Sequence, residues 1–460
     1  MKNTPPVLSL LEMTGENNID AKINYMIYRI ASGITLEEFE LKFIEEIISY
    51  IKNIGSDGAD IGIYMDFAKM NIVAGNKEVA RALVERLEEE MSSDLLDPSG
   101  DVFSVYRELA ILESLSFMKT SAIDFSLELV RFLPRNNDAV KPSLLNLAMT
   151  IVDTIHIDRS NFSNTALVLE ILEHMGRKKD KDAFRGAIAR KMLMRNEVLS
   201  TLDLEMVKFA ETKLFSLIED RLERAFTSSS IAIAKASIGR VEKVPALQKE
   251  AMEQIKLIKS YFPGKSSRMS LVRDLVLLDV YGKIGMEKEE PELVAIIKES
   301  IDRLLADGKN ADKIDEIVFL FISSLFSIKM DEVTTASGYI KYSDTILERA
   351  SEQVRVLSYI NMSTSLSRQG MHDLSMECVR KAVKILKKYE QNERESALDE
   401  LFAPSLSENY LNSSSEEFVI EMIRLIENLD DQSRERIATE FFMNLSLHAI
   451  NRKFNIAVSM

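Results

Sequence analysis

The chain has 460 residues, of which 46% are hydrophobic and 28% charged, so it can bury a continuous core beneath a charged surface. With 58 Lys and Arg against 73 Asp and Glu, its formal net charge is −15, which argues against general binding to nucleic acids or anionic membranes. Its single cysteine, Cys378, excludes an intramolecular disulfide and a cysteine metal cluster.

Proline and glycine divide the whole chain into amphipathic stretches of about 20 residues, and no stretch alternates with the period of a strand. In chain order, this pattern predicts helices over 19–31, 35–53, 59–74, 77–92, 101–118, 121–133, 139–154, 161–175, 181–196, 201–235, 246–262, 267–284, 291–307, 311–329, 332–349, 352–369, 372–389, 393–411, 415–429 and 432–452. The stretch 201–235 is predicted to contain two helices, whose joint the pattern does not place. Capping boxes are predicted at Thr35–Glu38 and Ser414–Glu417, because each pair sets a hydroxyl three residues before a carboxylate.

The spacing of the breaks is most regular in the last third of the chain. The breaks lie near Gly308, Asp331, Ser351, Gly370, Asn392, Ser414 and Asp431, which makes each helical hairpin about 41 residues long. Hairpins that recur at this length bury their apolar faces by stacking on their neighbours. We therefore predict an all-α fold, a right-handed α-solenoid of stacked helical hairpins that is elongated or arc-shaped. The loop Ser237–Val244 divides it into helical-repeat arrays over 1–240 and 241–460, unless one solenoid continues through it.

Two turns carry a resemblance to a known family. In Gly75-Asn-Lys-Glu-Val-Ala80 and in Gly370-Met-His-Asp-Leu-Ser375, a glycine ends one helix and a small residue follows five positions later. Glycine permits a tight turn, and the small residue lets two helices approach closely. Both hairpins resemble tetratricopeptide units, while the longer period elsewhere is similar to that of HEAT or armadillo arrays. The resemblance implies an architecture and no functional residues.

No pattern of catalytic or metal-binding residues emerges from the chain. None of the four histidines, His156, His174, His372 and His448, has a partner at metal-ligand spacing. Pro263-Gly264-Lys265-Ser266 lacks the second glycine of a phosphate loop and is interpreted as a turn. We therefore expect no catalytic residue, no cofactor and no metal.

Other apolar features are interpreted as core. The run Ile317–Ile328 is too short to cross a membrane and predicts a buried helix, and Cys378 lies on the apolar stripe of another. Glu12 interrupts the apolar run Val7–Leu11, which argues against a signal peptide. The expected location is cytoplasmic.

Two segments depart from the acidic average of the chain. Arg177–Arg195 holds eight basic residues against two acids, and Lys256–Arg273 holds five basic residues and no acid. They are interpreted either as solvated faces or as a docking patch for an acidic partner protein, with nucleic acid disfavoured. The candidate partner-binding residues are Arg177, Lys178, Lys179, Arg185, Arg190, Lys191, Arg195, Lys256, Lys259, Lys265, Arg268 and Arg273.

The functional hypothesis is a non-enzymatic scaffold or adaptor that binds a partner segment on its helical-repeat surface. Two alternatives stay open from the sequence. One is an effector-sensing regulatory subunit, and the other is an α/α enzyme whose site is assembled from scattered helix residues.

Overall fold

A computed structural model describes residues 5–15, 18–53, 61–76, 78–80, 82–83, 178–194, 204–241, 243–261, 268–284, 290–306, 311–327, 330 and 332–454. All regular structure within these ranges is helical, which confirms the predicted all-α fold. The helices predicted over 101–118, 121–133, 139–154 and 161–175, and the turn predicted at 263–266, lie outside the described residues.

Eighteen helices have bounds within the described ranges. They are α1 (Pro6–Glu12), α2 (Ile19–Ala31), α3 (Glu38–Asn53), α4 (Ile61–Ala74), α5 (Lys178–Met194), α6 (Leu204–Phe209), α7 (Arg221–Val241), α8 (Pro245–Tyr261), α9 (Arg268–Ile284), α10 (Glu290–Ala306), α11 (Ala311–Ser327), α12 (Val333–Leu347), α13 (Glu352–Arg368), α14 (His372–Leu386), α15 (Gln391–Ala397), α16 (Ala403–Ser413), α17 (Glu416–Ile426) and α18 (Asp431–Phe454). A π turn over Leu398–Phe402 joins α15 to α16.

The chain forms two compact units. Unit 1 comprises Met1–Ala21 and Phe262–His448, and unit 2 comprises Lys22–Tyr261 and Ala449–Met460. The loop predicted over 237–244 is wrong in its first half, because α7 continues to Val241. The division into arrays over 1–240 and 241–460 stays a prediction.

Unit 1 is built from consecutive helical hairpins. The hairpins are α9–α10, α11–α12, α13–α14 and α15–α17, and contacts link the first helices α9, α11, α13 and α16 in that order. The apolar run predicted to be buried lies in α11, where Phe321, Ile322 and Leu325 are fully buried. Much of the interior of this unit therefore lies between helices that are close in sequence, as in stacked hairpins.

Hydrogen bonds fix the direction of these first helices. Asp315 accepts from the Ser351 amide, 36 residues later, and Ser323 accepts from Asn361, 38 residues later. Thr364 and Ser405 are joined across 41 residues. Because the partners advance in the same direction along both helices, α11 and α13 run parallel, and the step of 36 to 38 residues between them is close to the predicted hairpin length of about 41.

The two glycines singled out in the sequence make the same helix-ending turn. Gly370 has φ +78° and Gly75 has φ +84°, in the left-handed region that favours glycine. The next amide returns to the helix in both turns, from Met371 to the Leu366 carbonyl and from Asn76 to the Asn71 carbonyl. The small residues that follow, Ala80 and Ser375, are fully buried.

We expect Gly370→Ala and Gly338→Ala to change stability in opposite directions. An added Cβ meets nothing within 4 Å at either position, but Gly338 lies inside α12 with ordinary helical φ. Gly370→Ala should lower the free energy of unfolding by about 1 kcal/mol through backbone strain, whereas Gly338→Ala should raise it by about 0.5 to 1 kcal/mol. Urea unfolding followed by circular dichroism measures both, and equal shifts would contradict the assignment of the turn.

In unit 2, the predicted stretch 201–235 does contain two helices. Helix α6 continues through a π turn and a 3₁₀ turn to Leu217, and α7 begins at Arg221. The Asp182 carboxylate on α5 accepts from the Glu219 and Asp220 amides at 3.1 and 3.2 Å. A side chain distant in sequence therefore satisfies two amides of this joint, and Asp220 caps α7 by accepting from the Leu222 and Glu223 amides at 2.9 and 3.0 Å.

Two predicted capping boxes are wrong in register. Ser414 adopts a left-handed φ of +54° and ends α16, and α17 begins at Glu416, because the Ser413 hydroxyl already accepts from the Ser415 amide at 3.0 Å. At the start of α3, the Glu37 amide donates to the Glu40 carboxylate at 2.7 Å, so the box begins two residues after Thr35.

Candidate functional site

Two of the arginines predicted in the first basic segment contact acids of unit 2. Arg185 on α5 contacts the Asp182 carboxylate at 3.2 Å and donates to the Leu217 carbonyl at 3.0 Å. Arg190 contacts the Glu223 carboxylate on α7 at 2.8 Å and lies over the Phe226 ring. These contacts join α5 to α7 and to the turn before it, so both arginines connect helices within the unit.

The second basic segment places two lysines on an exposed helix face. Lys256 and Lys259 both lie on α8 and are exposed to solvent. Two neighbours that the sequence analysis did not include, Lys249 and Met252, are exposed on the same helix. At about 100° per residue, these four side chains fall within an arc of about 80°. We call Lys249, Met252, Lys256 and Lys259 the α8 face.

The opposite side of α8 is anchored in unit 2. Its residues Leu247, Ala251, Ile255 and Ile258 are buried, and the helix packs along α7. Lys235 on α7, only 5% exposed, contacts Glu250 of α8 at 2.9 Å and Glu211 at 2.7 Å. These two carboxylates raise the pKa of Lys235 against the opposing effect of desolvation by burial, which is the largest single contribution. The α8 face therefore lies on a helix fixed by both apolar and ionic contacts.

The other predicted cations divide into two groups. Arg273 on α9 contacts the adjacent Asp274 carboxylate at 2.7 Å. The remaining residues, or their side chains, lie outside the described part of the chain: Arg177, Lys178, Lys179, Lys191, Arg195, Lys265 and Arg268.

Sequence reasoning missed a seam of buried polar side chains in unit 1. The Ser363 hydroxyl on α13 accepts from the Asn409 amide at 2.8 Å and lies 2.9 Å from the Ser375 hydroxyl on α14. Thr364 and Ser405 meet at 2.9 Å beside them. Among the described residues, the Oδ1 atom of Asn409 is buried without a hydrogen-bond partner. The only sequence signal was the unusual run of hydroxyl residues in α13, which an amphipathic pattern treats as surface.

A charged group lies beside the seam, where α13, α16 and α18 meet. Arg368 donates to both Glu408 oxygens, at 2.5 and 3.1 Å. His448 on α18, 8% exposed, donates to the Pro404 backbone, and within the described structure its Nε2 has no partner. Burial lowers the pKa of His448, Glu408 raises it and Arg368 lowers it further. The arrangement favours a neutral imidazole held between three helices.

We expect His448 to make folding sensitive to mild acid. Because its folded pKa lies below the ordinary value near 6.5, the unfolded chain takes up this proton first. Stability should therefore fall as pH drops below the ordinary pKa, by at most about 1.4 kcal/mol per pH unit, until the lowered pKa is reached. Urea unfolding of wild type and His448→Gln from pH 8 to about pH 5 should show a smaller loss in the variant. Parallel curves for the two proteins would contradict this role.

The described residues offer little for nucleophilic or metal chemistry. Cys378 is fully buried, as predicted, and burial raises the pKa of its thiol. No cluster of three His, Cys, Asp or Glu side chains suited to a metal occurs in the described ranges. Nor does any helix in those ranges combine the length and apolar character needed to cross a bilayer.

A cavity of about 480 Å³ in unit 1 lies between the N-terminal segment and the start of α18. Its lining includes Glu12, Asp431, Arg434 and Glu435, and Arg434 contacts Asp431. The cavity is open, and its charged lining residues are three acids and one arginine.

Comparison with known proteins finds no family, no curated protein and no solved structure that matches this chain.

Proposed function

We propose that this protein is a non-enzymatic scaffold or adaptor of the cytoplasm that binds a partner protein on a helical-repeat surface. In this proposal, the hairpins form a right-handed α-solenoid similar in architecture to tetratricopeptide and HEAT arrays. An array of this kind presents one helix face after another in a regular order, which suits the binding of an extended or multi-helical partner.

The observation that carries the proposal is the repeated connection between parallel helices of unit 1. One hairpin links to the next through the hydrogen bonds that Asp315 accepts from Ser351 and that Ser323 accepts from Asn361. The hydrogen bond between Thr364 and Ser405 makes the equivalent link one hairpin later. Arg368 and Glu408 add a fourth bond across 40 residues. Equivalent positions of successive hairpins thus touch each other, so equivalent outer positions form a row along the stack.

The polar groups of unit 1 support binding over catalysis. The hydroxyls of Ser363, Ser375 and Ser405 are satisfied by neighbouring helices, and His448 is buried. General acid–base and nucleophilic catalysis need a group that reaches a substrate. These side chains instead join helices.

Affinity purification of the tagged protein from its native cells, with chemical crosslinking and mass spectrometry, tests the proposal. We expect one or a few partners whose crosslinks fall on consecutive hairpins. Cells that express the tag alone provide the control. Recovery of no specific partner, together with turnover of a small molecule by the purified protein, would overturn the scaffold in favour of an enzyme.

A further inference from the structure

The α8 face combines positive charge with an exposed apolar side chain. Lys249 and Lys256 lie seven residues apart, about 10 Å along the helix axis, and Met252 lies between them with 41% of its surface exposed. Lys259 continues the face toward the C-terminal end of α8. Glu253 borders the face on one side and is the acid of α8 that lies nearest to it around the helix.

The charge of this face is opposite in sign to that of the chain as a whole. The net charge is −15, while the face itself carries three lysines. Arg185 and Arg190 of α5 have acids at 3.2 Å or closer, whereas Lys249 and Lys256 extend from the side of α8 opposite its buried residues. The face therefore offers both charge and apolar contact area to an external molecule.

We infer that the α8 face binds an acidic amphipathic helix of a partner protein, an inference that rests on the proposed scaffold function. Carboxylates seven residues apart on the partner helix would match the 10 Å spacing of Lys249 and Lys256. An apolar side chain between those carboxylates would pack on Met252, whose flexible thioether adapts to different shapes. The partner helix lies along α8, with its acidic stripe toward the lysines.

Charge and apolar contact together select this partner over other polyanions. A nucleic acid would bring phosphates along its whole length to a chain of net charge −15, and long-range repulsion would oppose its approach. Phosphates also gain nothing from Met252. A protein helix can confine its acids to one stripe and present apolar side chains beside them.

The test uses a fluorescein-labelled helical peptide with glutamates at i and i+7 and leucine at i+3. A second peptide has the same composition in scrambled order. Fluorescence anisotropy at low salt should show tighter binding of the patterned peptide to the full-length protein. Lys249→Glu/Lys256→Glu should weaken that binding about tenfold or more, mainly through a slower association, and the difference should shrink as salt rises.

Three variants separate the α8 face from general charge effects. Lys384→Glu/Lys387→Glu makes the same change of net charge at exposed lysines of unit 1 and should leave binding unchanged. Glu253→Gln removes the bordering acid and should tighten binding, whereas Met252→Ser should weaken it at every salt concentration. Circular dichroism should show equal helix content in all variants, because the substituted side chains are exposed.

Several results would overturn the inference: equal binding of the scrambled peptide, equal loss in both charge-reversed pairs, or tighter binding of single-stranded DNA than of the patterned peptide. These results are distinguishable from failure of the scaffold. If crosslinked partners map to other helix faces while the peptide fails to bind, the α8 inference is wrong and the scaffold stands. If the peptide binds but no cellular partner is recovered and the purified protein turns over a small molecule, the scaffold proposal fails.

Discussion

Arg29→Met is expected to lower the free energy of unfolding by about 3 kcal/mol, because it leaves a buried carboxylate without its cation. The carboxylate belongs to Glu40 on α3, which is 0% exposed. It lies 2.7 Å from Nε of Arg29 and accepts from the Tyr25 hydroxyl at 2.7 Å and from the Glu37 amide at 2.7 Å. The bonds from Arg29 and Tyr25 join α2 to α3, and the bond from the Glu37 amide caps the start of α3.

Burial also raises the pKa of Tyr25, with its bond to Glu40 as the next cause. The phenol therefore stays protonated and donates across the physiological range, but it cannot neutralise the carboxylate. Removal of the arginine leaves two neutral donors around a charge in a protein interior. Such donors stabilise the carboxylate less than the arginine does, because they bring no opposite charge.

Urea unfolding should separate this buried pair from a surface pair on the same helices. Lys22→Met removes the cation that contacts Glu46, and because the remaining Glu46 side chain is 51% exposed and solvated by water, we expect a cost below about 1 kcal/mol. The double variant Arg29→Met/Glu40→Met should regain much of the loss, since two apolar side chains need no compensation. Equal costs for Arg29→Met and Lys22→Met would show that the Glu40 carboxylate reaches water.

Arg368→Met is the second large expected effect, at about 2 kcal/mol. The two partners differ in exposure, with 48% of the Arg368 side chain but only 9% of the Glu408 side chain reaching solvent. Loss of the arginine leaves the buried Glu408 carboxylate without its cation, whereas Glu408→Gln leaves a guanidinium that water can solvate. Glu408→Gln should therefore cost less, about 1 kcal/mol.

Arg368→Met should also change how the stability of the protein responds to acid, through its effect on His448. Arg368 lowers the pKa of His448, so Arg368→Met should raise that pKa toward its ordinary value. The pH range over which His448 reduces stability should then narrow. Histidine titration by NMR in wild type and Arg368→Met measures this directly. An unchanged His448 pKa would mean that the guanidinium does not act on the imidazole.

The sequence pattern was sufficient to predict helix bounds where the residues of one helix determine its own ends. Helix α2 begins at Ile19 and ends at Ala31, as predicted, and Gly370 makes the turn after α13. Apolar periodicity and glycine are local properties, so they can be interpreted without knowledge of the fold. Helix α1 was missed because seven residues form a stable helix only through tertiary contacts.

Charge composition identified the candidate surface only in part. The count that selected Arg190 could not include Glu223, which lies 33 residues later and pairs with it through the fold. Conversely, Lys249 fell outside the basic segments because Glu250 and Glu253 are its neighbours in sequence. On the helix, Glu250 turns toward Lys235 while Lys249 stays beside Lys256. The direction of each side chain around α8 determines which charges share a face, and a count of charges along the sequence carries no information on that direction.

The position of α1 bears on how the protein is made. Val7, Leu10 and Leu11 are buried, and α1 packs against α17 within unit 1. On a ribosome that adds about 5 to 20 residues per second, α1 emerges roughly 20 to 80 s before α17 exists. Throughout that time its apolar side chains lack their native contact with α17 and stay accessible to a chaperone at the nascent chain. The contact between α1 and α17 can form in full only after synthesis has passed Ile426.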